Sequence, residues 1–260
     1  MTTDYKTLRF EKAGRVGRLT WDRPGRRNAL SREMLRETHH ALALAAADRD
    51  LSVLVLTGAG GDFCPGADFK GPLAQTATDA AEEPLETEWF RVGQLLHEMR
   101  AVTIAAISGA CAGAGLSWAC ACDLRLASDT ARFNTAFLDV GASGDMGGIW
   151  FVSRLLGAAR ARELFLTPGK FLAADALRLG LVSSVHDQAG LEASLAALVA
   201  RLERAPPMAL AAMKANLVDA GRVDLASYIA IETERHLRVM GSAESRAAFR
   251  ARASSAVPAA

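Results

Sequence analysis

No run of apolar residues in this sequence reaches the roughly 20 that cross a bilayer. The opening stretch MTTDYKTLRFEKAGR also lacks an apolar signal segment, so a cytoplasmic protein is expected. Charge of one sign is missing too: 30 Lys and Arg stand against 29 Asp and Glu, for a net charge of +1. That balance offers no electrostatic footprint for nucleic acid or an acidic membrane surface, and neither is expected as a partner. Cysteine is scarce. Cys64, Cys111, Cys120 and Cys122 lie among apolar and small residues, without CxxC spacing or a histidine partner suited to zinc, so buried reduced thiols are expected and no metal site. The histidines form no motif: His39 and His40 are neighbours on a helix and read as surface, and His97, His186 and His236 read as structural.

What is present is apolar content of 50% over 260 residues, enough for a sizeable core. Residues 14–22 (GRVGRLTWD) read as a strand ending in a turn at Pro24-Gly25. Ser31 is placed to cap a helix that runs to about Asp48, and SVLVLTG and VTIAAIS read as buried strands. From Gly58 to Gly71 the chain is rich in glycine and small residues, so its backbone can approach another molecule closely. A surface excursion from Gly71 to about Pro84 precedes an amphipathic helix over about Glu86–Arg100. GACAGAG runs directly into an apolar helix, LSWACAC, a geometry suited to anion binding. Two short strands, LRLA and ARFNTAF, lead to VGASGDMGG and the helix IWFVSRLLG. After about Leu191 the pattern is helical, with Pro206-Pro207 as a helix-starting break. The class is α/β, with a recurring strand, strand, helix order that hints at a structural repeat and with helices alone at the end.

Three segments taken together resemble the enoyl-CoA hydratase/isomerase (crotonase) superfamily: GAGGDFCPGADFKG, IAAISGACAGAGLSWACACDLRLAS, and the run from Ala131 to Val185. With RPGRRNAL they cover nearly the whole chain in the family's order. The resemblance implies a spiral of β-β-α turns forming two near-perpendicular sheets over residues 1–195. It further implies a C-terminal helical region, 196–260, that packs homotrimers or hexamers. It implies an acyl-CoA thioester as substrate and no separate cofactor. The backbone amides of Ala67 and Ala114 would form an oxyanion hole. Such preorganised donors, aimed at the oxygen of a thioester enolate, contribute on the order of 3 kcal/mol each. By the same resemblance, Ala67, Asp68, Phe69 and Lys70 lie against CoA and Arg26 and Ala29 flank its adenine or phosphates. Asp68 reads as a brace for the loop, and Lys70 and Arg26 equally suit solvated surface charges.

Family hydratases hold water between two glutamates, and the matching places here are Ser117 and Phe137. Hydration by that route is therefore not expected. Asp145, in GASGDMGG, matches a position at which several relatives keep a working carboxylate, and the local pattern is closest to the isomerases of phenylacetate catabolism. One carboxylate suffices to move a proton between two carbons of an enolate, so an enoyl-CoA isomerase with Asp145 as acid and base is the favoured expectation. Phe137, Met146 and Trp150 are expected to raise the pKa of Asp145, and Phe137, Trp89 and Trp118 to shape the acyl end of the pocket. The bland readings are an Asp145 that merely caps the following helix and a Ser117 that bonds its own backbone. Two rival functions stay open. One is a hydrolase or dehalogenase with Asp145 as nucleophile, although gap-free counting puts Phe90 where aryl dehalogenases need a histidine. The other is an acyl-CoA binder without catalysis.

Overall fold

The structure is a computed structural model describing residues 4–68 and 86–255. Phe69, Lys70 and the expected excursion from Gly71 to Pro84 lie outside the described residues. The chain starts with a hairpin: β1 (Leu8–Ala13) pairs antiparallel with β2 (Val16–Trp21), Leu8 opposite Trp21 and Ala13 opposite Val16. The sequence pattern predicts the second strand only. β1 shows little of itself in the pattern because most of its residues stay at least partly exposed.

β3 (Val53–Gly58) and β4 (Val102–Ile107) are the apolar runs, and the continuous burial of Val53 to Leu56 and of all of β4 is what a parallel sheet covered on both faces demands. With β6 (Leu124–Ser128) and β9 (Ser184–His186) they complete a six-stranded sheet in the order β1-β2-β3-β4-β6-β9, parallel from β2 onward. A second sheet holds β5 (Ala110–Ala112), β7 (Arg132–Asn134) and β8 (Phe171–Leu172). Successive strands thus alternate between sheets: β4 then β5, β6 then β7. A helix follows each pair, α3 (Ala114–Ala121) after the first and α4 (Gly148–Leu156) after the second. This is the expected β-β-α spiral.

Three helices begin where a short polar side chain, Ser31, Asp187 or Asp224, accepts main-chain N–H groups. Ser31 Oγ accepts from Met34 N at the start of α1 (Arg32–Ala47), whose Met34, Leu35, Thr38, Ala41, Leu42 and Ala45 turn inward at helical spacing. The helix expected over 86–100 is shorter, a 3-10 turn at Thr87–Arg91 followed by α2 (Val92–Glu98), and neither start has a side-chain cap. After α4 come α5 (Ala158–Leu166) and α6 (Ala173–Leu179). Asp187 then caps α7 (Gln188–Glu203), which lays Leu191 and Leu195 on Val53, Val55, Ile104 and Leu126 across the outer face of the large sheet.

The last helices are α8 (Pro207–Ala220), α9 (Leu225–Met240) and α10 (Ala243–Ser255). They carry Leu217, Leu225, Leu237 and Phe249 at least 65% exposed. Among the described residues no helix is long and apolar enough to cross a membrane.

One buried charge pins α8 to the spiral. Lys214 Nζ lies 2.7 Å from the Ala101 carbonyl, 3.1 Å from that of Leu96 and 2.8 Å from the Asp123 carboxylate. Asp123 also accepts from the Thr103 amide at 2.7 Å and its hydroxyl at 3.0 Å. Burial depresses the Lys214 pKa, and the Asp123 charge opposes that shift. Removing Lys214 leaves the partly buried Asp123 without its counter-ion and the Ala101 carbonyl without that donor. Lys214→Ala is therefore expected to destabilise the protein by about 3 kcal/mol. Urea unfolding measures it; a change under 1 kcal/mol would show that the pin is dispensable.

Candidate active site

The site is built on main chain brought unusually close. Asn28, fully buried and left-handed at φ 60°, ties three segments through its amide. Its Nδ2 donates to the carbonyls of Ala59 (2.8 Å) and Asp62 (2.6 Å), and its Oδ1 accepts from the Arg23 amide at 2.9 Å. Asparagine tolerates that backbone region better than most residues. Next to it, Arg27 grips Asp62 through two nitrogens, at 2.6 and 3.0 Å, while Asp62 also accepts from the Ala110 amide at 2.7 Å. Burial pushes the Asp62 carboxyl up, but Arg27 and that amide outweigh it and leave the pKa below the usual carboxylate value.

These ties aim the loop that holds Ala67. Leu30 N donates to the Gly66 carbonyl (2.8 Å) and Asp68 N to the Leu30 carbonyl (2.9 Å). Because successive amides of an extended chain point to opposite sides, the intervening Ala67 N–H faces away from Leu30. On the other flank, Cys64 N donates to the Ala110 carbonyl and Ala112 N to the Cys64 carbonyl, both at 2.9 Å. A side chain at Gly115 would put its Cβ 2.2 Å from the Cys64 carbonyl oxygen, so only glycine lets α3 start this close to the loop.

Ala114 opens α3 after Gly113, at φ 53° and ψ −122°, and no side chain caps the helix. Among the described residues neither the Ala67 nor the Ala114 N–H is taken by another group. Ala114 is not among the left-handed residues, so its methyl group costs nothing. Two unengaged amides thus flank one backbone seam, the second at a helix N-terminus where the dipole favours anionic oxygen.

Asp145 stands on a bent segment between Gly144 (φ 102°) and Met146 (φ 52°). Its main-chain carbonyl accepts from Gly148 N, but its side chain caps nothing, and α4 has no side-chain cap at all. The helix-capping reading is thereby corrected. Asp145 Oδ1 is buried with no hydrogen-bond partner, and burial raises the carboxyl pKa to about 6. Its charge acts on the Cys64 thiol, which burial chiefly pushes up to about 12, so Asp145 lies within electrostatic reach of the Ala67 loop. Ser117, buried on α3, donates back to the Gly113 carbonyl at 3.2 Å, as its bland reading holds. A Cβ on Gly148 would fall 2.2 Å from Ser117 Oγ, which ties the start of α4, and Asp145 with it, to α3.

The remaining sequence candidates divide. Asp68 is buried and paired with Arg23 at 3.2 Å, with Arg26 at 3.9 Å, so it braces the loop. Arg26 is about half exposed. The Ala29 carbonyl accepts from Arg23. Phe137 is buried and stacks on Phe165 at 6.3 Å. Trp118 was expected at the pocket but is fully buried against Trp21, 5.1 Å between ring centroids, because apolar surroundings on every side of α3 draw it into the core. Trp150 is exposed at its outer edge, under Arg154, and packs on Phe151. Sequence reasoning missed Arg23 and Asn28, whose partners lie up to 45 residues away. The four cysteines are buried and free, as expected, and among the described residues no cluster suits a metal ion.

Mixed α/β architecture, two sheets and this backbone seam define a crotonase-type protein. The chain belongs to the enoyl-CoA hydratase/isomerase family, whose sequence description matches residues 11–253. It is 35% identical over 210 residues to a provisionally named enoyl-CoA hydratase of Rhodobacter capsulatus, covering 81% of this chain and 80% of that one. It is 28% identical over 250 residues to 4-chlorobenzoyl coenzyme A dehalogenase-2 of Arthrobacter sp., covering 94% and 91%. A Thermobifida fusca YX structure, provisionally named an enoyl-CoA hydratase and solved with acetoacetyl-CoA, superposes with a TM-score of 0.82 at 32% identity, covering 90% of this chain and 94% of that one.

An acid whose native pKa lies above its unfolded value of 3.8 binds its proton more tightly when folded. Stability therefore falls as pH rises from about 4 through about 6, and above that the ionised Asp145 is a standing penalty of up to about 3 kcal/mol. Asp145→Asn is expected to raise the melting temperature by several degrees at pH 7.5 and by little at pH 4. Equal melting at pH 7.5 would contradict the burial of an unpaired carboxylate.

Proposed function

We propose that the protein is an enoyl-CoA isomerase working through an enolate. The observation that carries this reading is the half-buried carboxylate of Asp145, whose Oδ1 is buried without a hydrogen-bond partner among the described residues and whose pKa is raised to about 6. A 3-enoyl thioester would donate its α-proton to the Asp145 carboxylate. The electron pair left behind delocalises onto the thioester oxygen, where the Ala67 and Ala114 amides stabilise it, and is shared through the 3,4 double bond with the γ-carbon. Asp145 then returns the proton at the γ-carbon, and the product is the 2-enoyl thioester. Raising the pKa towards neutrality strengthens the base while leaving most of it ionised at pH 7. With Ser117 and Phe137 in place of carboxylates, the glutamate pair by which family hydratases hold a nucleophilic water is missing.

Arg26, Ala29, Ala67, Asp68, Phe69 and Lys70 are proposed to meet the CoA moiety, and Ser117 and Phe137 the acyl part, in keeping with acetoacetyl-CoA in the Thermobifida fusca relative. No further cofactor is required. We also propose a cytoplasmic homotrimer or hexamer assembled through the region 196–260. The exposed Leu217, Leu225, Leu237 and Phe249 support this, and a monomeric mass in light scattering would refute it.

A nucleophilic Asp145 is the second reading, favoured by the likeness to the Arthrobacter sp. dehalogenase. It lacks a base at Phe90, an apolar residue packed on the core. Exchange of solvent deuterium into the α- and γ-carbons of 2-enoyl- and 3-enoyl-CoA thioesters separates the readings. The wild type is expected to exchange and to interconvert the two, with kcat/KM falling about tenfold from pH 7 to pH 5 as Asp145 takes up its proton. Asp145→Asn is expected to lose 100-fold or more. Thioester binding without exchange in either protein would leave a binder.

A further inference from the structure

Beyond Asp145 the chain walls a cavity of about 260 Å³, lined by Phe90, His97, Met146, Gly147, Trp150 and Phe151. Met146 and Gly147 directly follow Asp145, so the cavity begins one residue from the candidate base. Gly93 keeps it close: a Cβ there would lie 2.3 Å from the Met146 carbonyl oxygen. Three rings meet edge to face, Trp150 with Phe151 at 4.9 Å and 82°, His97 with Trp150 at 5.3 Å and 73°, and His97 with Phe151 at 5.5 Å and 61°. Arg154 covers one face of Trp150. The rest of the lining is polar: Glu98 pairs with Arg222 and accepts from Gln94, with Arg91 beside them.

His97 is the anomaly. It is half-buried, and among the described residues its ring nitrogens make no hydrogen bond. Burial, then Arg222, lowers its pKa, so at neutral pH it is an uncharged imidazole offering one donor and one acceptor. An apolar cavity of about 150 Å³ admits benzene. The volume here suits one ring with its linker.

Resting on the acyl-CoA reading above, we propose that this cavity receives the distal part of the acyl group, a single ring edged by Phe90, Trp150 and Phe151. His97 determines specificity by hydrogen-bonding an oxygen substituent at the far end of that ring. A polar group built to be satisfied by substrate discriminates strongly against an analogue lacking the partner atom. An aromatic cage supplies the offset and edge-on contacts that rings prefer.

The test is calorimetric titration of the full chain with 3-phenylpropanoyl-CoA, 3-(4-hydroxyphenyl)propanoyl-CoA and butanoyl-CoA, none of which has a double bond to be moved. The wild type is expected to bind the hydroxylated thioester about tenfold tighter than the plain one, and the plain one tighter than butanoyl-CoA. In His97→Phe, which keeps the ring packing, the hydroxyl preference is expected to vanish with the plain Kd changed less than threefold. His97→Leu serves if that variant does not fold. No hydroxyl preference in the wild type, or a preference that survives these substitutions, overturns this inference alone. Failure of all three thioesters to bind overturns it together with the reading it rests on.

Discussion

The contact on which the rest depends is the approach of the Cys64 carbonyl to the first turn of α3. No side chain fits between them, because a Cβ at Gly115 would lie 2.2 Å from that oxygen. Two main chains meet there, stitched by the backbone hydrogen bonds of Cys64 to Ala110 and Ala112 on one flank and by those of Leu30 on the other. With side chains excluded, the polar groups left at the seam are backbone amides. Those of Ala67 and Ala114 are fixed in direction by the hydrogen bonds of their neighbours, Gly66, Asp68 and Gly113. Donors held this way need no reorganisation when charge develops in front of them, which is the physical advantage of building such a site from backbone.

Rigidity at the seam is assembled from groups outside it. Asn28, Arg27 with Asp62, and Arg23 with Asp68 each join segments far apart in sequence, and Asn28, Asp62 and Asp68 are buried. Their role is orientation: together they remove the freedom of a glycine-rich stretch whose own entropy would otherwise leave the amides loosely aimed.

Asp145 shows the opposite economy. A buried carboxylate oxygen without a partner is unfavourable for folding, and it persists here because α3 and α4 pack through Ser117 and Gly148 whatever its ionisation. Strain of this kind at a site, offset by good packing elsewhere, is the usual relation between activity and stability. Lys214 illustrates the contrasting case, a buried charge with every donor engaged, which fastens the helical C-terminal part to the spiral.

Much of this was legible in the sequence. The buried strands β3 and β4, the Ser31 cap, the glycine-rich turns at 58–71 and 109–115 and the family resemblance follow from local pattern and motif order, because uniform burial, capping and close approach each demand particular residue types. That Ser117 and Phe137 are not carboxylates is read from the sequence directly. What only tertiary structure decided is which residues meet. That Asp145 caps no helix, that Trp118 belongs to the core, that Arg23 and Asn28 hold the loop, and that His97 shares a wall with Met146 all depend on side chains joined across the spiral. Such contacts leave no periodic trace in sequence, since each partner is satisfied by a residue tens of positions away and its local neighbourhood is the same whether the partner is there or not.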